Sequence, residues 1–124
     1  VMSYLFAVTK NIPKMDTEQS FNALMELSKK ESNVFSADLI MLIGKLKIIY
    51  PCITNRKYNE QDADFNWIWA DGPLEENING DIWKFSLVAD ALNEPLDYII
   101  QEANQLEFSV FSYEFEKIWW ADNC

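Results

Sequence analysis

The 124-residue sequence contains no histidine, and this absence excludes several kinds of catalytic site. Serine and cysteine hydrolases of the common type need a histidine to take the proton of the nucleophile, and histidine-assisted RNA cleavage needs one as well. The two cysteines, Cys52 and Cys124, supply too few ligands for a zinc site without imidazole. The sequence therefore predicts no histidine-based or zinc-based catalysis, and we expect no cofactor.

Glycine and long apolar runs are also scarce. The three glycines, Gly44, Gly72 and Gly80, are too dispersed for a phosphate-binding loop or a dinucleotide fingerprint. The longest apolar run, "LIMLIGKLKII", contains two lysines and is too short to span a bilayer. The start of the chain lacks the basic and apolar regions of a signal peptide, and two isolated cysteines are typical of a reducing compartment. We expect a soluble cytoplasmic protein.

Positive charge is nearly absent from the second half of the chain. Residues 1–57 hold eight basic and five acidic side chains, whereas residues 58–124 hold two basic and fifteen acidic ones. The formal charge of −10 disfavours binding to nucleic acid and to anionic membranes, because both ligands are negative. The excess of acids has two possible roles. It can keep the protein in solution, or it can attract a basic partner.

Hydrophobic periodicity predicts the elements of one domain spanning residues 1–124. Apolar residues make up 49% of the chain, enough to form a core. Strands are predicted at 3–10, 65–70, 81–89, 108–112 and 117–121, and helices at 15–31, 35–51 and 93–108. The order β-α-α-β-β-α-β-β favours an α+β fold, with a mostly antiparallel sheet and the helices packed on one face, as a ferredoxin-like variant.

The helices carry start signals and apolar stripes. Asp16, Ser36 and Asn93 stand where N-caps are expected. The second helix is the most apolar, and its predicted stripe is Leu39, Leu42, Ile43, Leu46, Ile49 and Tyr50, widened by Ile40, Met41 and Ile48. On the first helix the shared face is Phe21, Leu24, Met25 and Ser28, and on the third it is Leu96, Ile99, Ile100, Ala103 and Leu106.

All five tryptophans lie in the second half of the chain, among the acids. In "FNWIWADGPLEE", residues 65–76, alternation places Phe65, Trp67 and Trp69 on one face of a strand. We expect Phe65 and Trp67 in the core, and Trp69 at the edge of a binding surface whose rim is formed by Asp71, Glu75 and Glu76. Trp83 is predicted in the core. The adjacent Trp119 and Trp120 point to opposite faces of a strand, so one of them must point away from the helices. An aromatic side chain beside acids is typical of an interface anchor with a charged rim.

The acids allow two functional interpretations. Glu60, Asp62 and Asp64, with the acids of residues 71–76, have the oxygen ligands that Mg²⁺ or Ca²⁺ prefers, although the spacing is not that of an EF-hand. The other interpretation is a binding surface for a basic protein. Its predicted partner-binding residues are Asp62, Asp64, Trp69, Asp71, Glu75, Glu76, Glu114 and Glu116.

Two segments resemble small bacterial immunity proteins, including those paired with toxins of contact-dependent growth inhibition systems. They are the turn "WADGPL", with Trp69–Pro73, and the end pattern "EANQLEFSVFSYEFEKIWW", with Phe108–Ser112. The resemblance implies a protein that is not an enzyme and that binds and neutralises its own system's toxin domain in the cytoplasm. Many such toxins are nucleases with basic clefts, which an acidic inhibitor can occlude.

Three functions therefore follow from the sequence. The first is a toxin-neutralising immunity protein, a monomer in its free state, with a basic toxin domain as its partner. The second is a small enzyme that depends on carboxylates or a metal. The third is an assembly module that forms a homodimer through exposed tryptophans.

Overall fold

The backbone forms one antiparallel sheet with helices on both of its faces. The computed structural model describes residues 3–10, 12–29, 36–50, 68–70 and 74–121. The strands within this part are β1 (Ser3–Thr9), β2 (Ile78–Asn79), β3 (Ile82–Val88), β4 (Ser109–Ser112) and β5 (Lys117–Trp119). The helices are α1 (Thr17–Ser28), α2 (Ala37–Ile49) and α3 (Glu94–Gln105), and short 3₁₀ turns occur at Leu74–Asn77 and Ala89–Ala91.

The strands lie in the order β2-β3-β1-β4-β5, and each neighbouring pair is antiparallel. β1 is the central strand, with Phe6 opposite Phe85 of β3 on one side and opposite Ser112 of β4 on the other. The first four strands have the order of the ferredoxin-like split βαβ arrangement, and β5 is added beside β4. The predicted α+β class and the predicted order of elements are confirmed.

Alternation along the strands creates two apolar faces. On the first, Phe6 and Val8 of β1 join the cluster that α2 and α3 cover. On the second, Ala7 of β1 and Phe111 of β4 pack with Leu24 of α1. The prediction that the helices share one face is therefore correct for α2 and α3 and wrong for α1. The apolar side chains of α1 find their partner on the second face, since β4 is apolar on both sides.

The helix starts agree with the capping signals at two positions of three. The Gln19 backbone N–H donates to Asp16 Oδ1 at 2.8 Å, and the Leu39 N–H donates to Ser36 Oγ at 3.4 Å. Asn93 occupies the N-cap position of α3 without a side-chain cap, and a proline stands in the first turn.

The apolar stripe of α2 is narrower than predicted. Leu39, Leu42, Ile43 and Leu46 are fully buried, whereas Ile40, Met41 and Ile48 are 49%, 46% and 81% exposed. Ile49 is also exposed, as is Met25 on α1. A sheet covers only one stripe of a helix, so apolar residues on the opposite side of α2 stay outside this contact.

The predicted strand at 65–70 is reduced to a single bridge in the described residues. Phe65 and Trp67 lie outside them, and Trp69 pairs with Leu87 of β3. The segment "EENING", predicted as a connection, contains a 3₁₀ turn and the two residues of β2. The outer edge of β3 is therefore paired by two short pieces of chain.

Aromatic side chains fill the centre of the first face. The Trp83 and Phe85 rings are 4.7 Å apart, the Phe6 and Phe85 rings are 5.3 Å apart, and the Trp69 ring meets Phe85 edge-on at 5.8 Å. The Trp69 indole N–H donates to the Tyr50 carbonyl at 2.7 Å, so its polar atom is satisfied despite burial. This bond also joins the end of α2 to the edge of β3.

Replacing Trp69 with Phe should lower the free energy of unfolding by about 1–3 kcal/mol. The change leaves a small cavity and deprives the Tyr50 carbonyl of its donor. The measurement is urea unfolding followed by circular dichroism. Trp119→Phe is the control, because Trp119 is only half-buried and should lose less. Equal losses in the two variants would contradict the central position of Trp69.

Candidate interaction surface

The structure describes three of the eight predicted contact residues completely. Asp62, Asp64 and Asp71 lie outside the described residues. Glu75 and Glu76 lie in the 3₁₀ turn Leu74–Asn77, where only their backbone is described. The fully described residues are Trp69, Glu114 and Glu116.

Trp69 does not lie at the edge of a surface, as the sequence predicted. Its side chain is 1% exposed and packs against Trp83 and Phe85. Its bridge to β3 directs the ring into the core rather than toward solvent. Trp69 is therefore a core residue, and it offers no contact to a partner in this conformation.

Trp119 and Trp120 do point to opposite faces of the sheet, as predicted. Trp119 packs at the margin of the first cluster and Trp120 at the margin of the second. Both are half-buried, because helices cover both faces. The Trp120 ring meets Phe111 edge-on at 5.9 Å. The exposed tryptophan face that the sequence predicted is therefore partly covered by α1.

Glu114 lies in the turn between β4 and β5 and binds the backbone of β1. Its carboxylate accepts the Leu5 N–H, with Oε2 at 2.9 Å and Oε1 at 3.1 Å, and the Leu5 carbonyl accepts the Tyr113 N–H at 3.3 Å. Because β1 extends beyond the end of β4, this carboxylate continues the hydrogen-bond ladder. Glu114 is therefore exposed but already engaged in holding the turn.

The same turn projects Phe115 and Glu116. The Phe115 ring stacks on Tyr4 with centroids 5.5 Å apart and planes 9° apart, and the Phe115 N–H donates to Ser112 Oγ at 3.2 Å. Glu116 has a φ of 51°, a left-handed conformation that reverses the chain before β5. These contacts give the turn a defined shape and leave the Glu116 side chain in solvent.

A groove of about 530 Å³ separates this turn from the first two turns of α1. Phe21 and Tyr113 form its aromatic part, with ring centres 5.8 Å apart. Glu18 and Glu116 are its two acidic residues, and both are exposed. Thr17 and Asn22 complete the lining. We call this feature the acidic groove.

Charge and aromatic surface in the acidic groove suit a cationic side chain. The aliphatic stem of a lysine or arginine can lie on Phe21 and Tyr113 while its head group meets Glu18 or Glu116. The Tyr113 ring already has a lysine beside it, with Lys84 Nζ 5.9 Å from its centre. Burial raises the pKa of the Tyr113 phenol above its usual value of 10.0.

The sequence pointed to only one residue of this groove, Glu116. Phe21 belongs to the shared face predicted for the first helix, and the sequence pattern makes no prediction for Glu18. A signal was present in "YEFE", residues 113–116, where aromatic and acidic residues alternate within a turn. What could not be foreseen is that α1 packs beside this turn.

A second groove of about 400 Å³ lies between α3 and β5. Its lining is Asp97, Ile100, Gln101, Asn104, Gln105 and Trp119. The Asn104 Oδ1 atom is buried and has no hydrogen-bond partner in the part of the chain that the structure describes. With three amides and one acid, this groove offers hydrogen bonds more than charge pairing, so it fits a basic ligand less well than the acidic groove does.

The metal-site interpretation gains no support from the described residues. Within them, no three acids, cysteines or histidines come close enough together to hold a metal ion. Most of the acids predicted as ligands, Glu60 to Asp71, lie outside this part of the chain. In the same described ranges, no helix is long and apolar enough to cross a membrane.

Comparison with known proteins finds no relative. No family model, no curated protein and no solved structure matches the chain. The charge distribution and the acidic groove are therefore the features of this chain that bear on its function.

Replacing Glu114 with Ala should lower the free energy of unfolding by about 1 kcal/mol, because the Leu5 N–H loses its acceptor. Replacing it with Gln should lose less, since an amide oxygen can still accept this bond. Urea unfolding of the two variants and the wild type measures the difference. Two variants as stable as the wild type would show that the hydrogen bond is not stabilising.

Replacing Tyr113 with Phe should reduce the alkaline sensitivity of the fold. A phenol pKa that is raised in the folded state leaves stability unchanged below about pH 10 and lowers it as the pH rises through the folded value. The wild type should therefore lose more stability than Tyr113→Phe between about pH 9.5 and 11.5. Thermal unfolding across this range tests the difference, and parallel curves would contradict it.

Proposed function

We propose that this protein binds a basic protein domain and neutralises it, as an immunity protein neutralises the toxin of its own system. The observation that carries the proposal is the acidic groove, whose aromatic floor and paired carboxylates match a lysine or arginine side chain. The charge of −13 on residues 58–124 supports it, because a field of this sign attracts a basic surface. The resemblance of residues 69–73 and 108–112 to immunity proteins supplies the class.

The proposed partner is a nuclease-type toxin domain. Such an enzyme needs a positive cleft to hold the phosphates of its substrate, and the inhibitor presents carboxylates to the same cleft. Inhibition then consists of occlusion, which requires no chemistry from this chain. The protein acts as a binding partner rather than an enzyme, in the cytoplasm where the toxin's substrate lies.

Different residues of the surface have different roles in this proposal. A cationic side chain that enters the acidic groove is desolvated against Phe21 and Tyr113, and losing such a charge pair costs about 2–5 kcal/mol of binding free energy. Exposed acids at a rim mainly change the association rate and its dependence on salt. Asp62, Asp64, Asp71, Glu75 and Glu76 are proposed as rim residues of this kind.

Co-expression with the protein encoded by the neighbouring reading frame tests the function. We expect the two proteins to co-purify, and we expect cells that make the toxin domain to survive only when this chain is present. Absence of both co-purification and protection would reject the proposed function.

The groove itself is tested with two variants of equal net charge. Glu18→Lys with Glu116→Lys reverses both acids of the acidic groove, whereas Glu26→Lys with Glu94→Lys reverses two exposed acids elsewhere. The dissociation constant for the toxin domain, measured by calorimetry, should rise at least about tenfold more with the first pair than with the second, because only the first pair removes the charge partners inside the groove. Equal effects of the two pairs would place the interface elsewhere.

A further inference from the structure

The solvent side of α2 is apolar, and the described part of the chain leaves it uncovered. The residues opposite its buried stripe are Ala37, Met41, Gly44 and Ile48, and all four are exposed. Ile48 is the most exposed of them, at 81%. A helix with apolar residues on two opposite sides is normally covered on both, and exposed apolar patches commonly mark contact surfaces. We call these four residues the outer stripe of α2.

The outer stripe is complementary to itself. Its residues are spaced by four, three and four positions, which is the same spacing in either direction along the helix. Their sizes alternate as small, large, small, large. When two copies of α2 lie antiparallel, Met41 of each copy meets Gly44 of the other, and Ile48 of each meets Ala37 of the other. Every large side chain then faces a small one, as in close helix packing.

Gly44 supplies the central hollow of this arrangement. A Cβ atom placed on Gly44 would have no neighbouring atom within 4 Å, so the space above it is open. Glycine in the middle of a helix is less stable than alanine, and the helix here does not need it for its own backbone. A second helix that approaches closely at this point gives the glycine a physical role.

Charge at the two ends of α2 also favours an antiparallel pair. Asp38 lies in the first turn, whereas Lys45 and Lys47 lie in the last two turns. Asp38 pairs with Lys10, and Lys45 pairs with Glu102 at 3.7 Å, yet the side chains of Asp38 and Lys45 remain 45% and 49% exposed. Antiparallel packing brings the negative end of one copy beside the positive end of the other, and it also opposes the two helix dipoles.

We propose that the outer stripe of α2 is a homodimer interface, in which α2 of two copies packs antiparallel about a two-fold axis that passes between Met41 and Gly44. The interface is isologous, since each copy contributes the same residues. A single helix pair is smaller than a standard stable interface, so the dissociation constant should be micromolar or weaker. The acidic groove lies on the opposite face of the sheet and stays open in both copies. This inference stands independently of the proposed function.

Sedimentation equilibrium of the full chain tests the dimer, over protein concentrations from about 10 μM to about 1 mM. The wild type should pass from monomer toward dimer within this range. Gly44→Met places a large side chain against Met41 of the other copy and should weaken association at least about tenfold. Adding Met41→Ala to Gly44→Met restores a small residue opposite the new large one, and it should recover dimerisation.

Gln101→Leu on α3 is the matched control, because it adds an apolar side chain to an exposed position on another helix and should leave association unchanged. A wild type that stays monomeric at the highest concentration would overturn the proposal, even if another protein were found to bind the outer stripe. So would unchanged association of Gly44→Met, or a double variant no better than the single one.

Unfolding of the dilute monomer gives a second readout. Gly44→Met should raise its stability slightly, because Met is a better helix former than Gly and meets open space. A clear loss of stability in the dilute monomer would show that another segment of the same chain covers the stripe, and this result would also overturn the proposal. Binding of the toxin domain by a dimer-deficient variant separates this test from that of the proposed function.

Discussion

The alternation of side chains along β1 is the constraint on which the rest of the structure depends. Phe6 and Val8 point to one face of the sheet and Ala7 to the other, and the neighbouring β4 likewise sends Val110 to the first cluster and Phe111 to the second. A sheet with two apolar faces needs cover on both. The chain meets this need by placing α2 and α3 on one face and α1 on the other.

The acidic groove is a consequence of this division. Because α1 covers the second face beside β4, Glu18 in its first turn comes near the turn that follows β4. That turn is held by the Glu114 carboxylate, which accepts the backbone N–H of Leu5 in β1, and by the stacking of Phe115 on Tyr4. Glu18 and Glu116, which are distant in sequence, thereby line the same groove. Had α1 joined the other helices, the turn would carry Tyr113 and its acids without Phe21 and Glu18 beside them.

Aromatic and acidic residues that are neighbours in the sequence lie in different environments in the structure. Trp69 and Trp83 enter the core, where their indole N–H groups donate to the backbone carbonyls of Tyr50 and Leu74. The described acids of the second half lie mainly at the surface, where their repulsion is screened by solvent. The tryptophans therefore stabilise the fold, and the proposed recognition of a partner depends on the acids and on the half-buried aromatic residues of the acidic groove.

Local patterns in the sequence determined the helices, most of the strands, two helix caps and the excess of negative charge, because periodicity, capping and charge depend on neighbouring residues. Tertiary structure alone decided the face taken by α1, the burial of Trp69 and the exposure of the outer stripe of α2. An apolar pattern shows that a surface favours burial, but it does not say which surface covers it. The sheet covers only one of the two apolar sides of α2. The side with Leu42 and Leu46 packs in the cluster that contains Phe6 and Phe85, and the side with Met41 and Ile48 stays exposed.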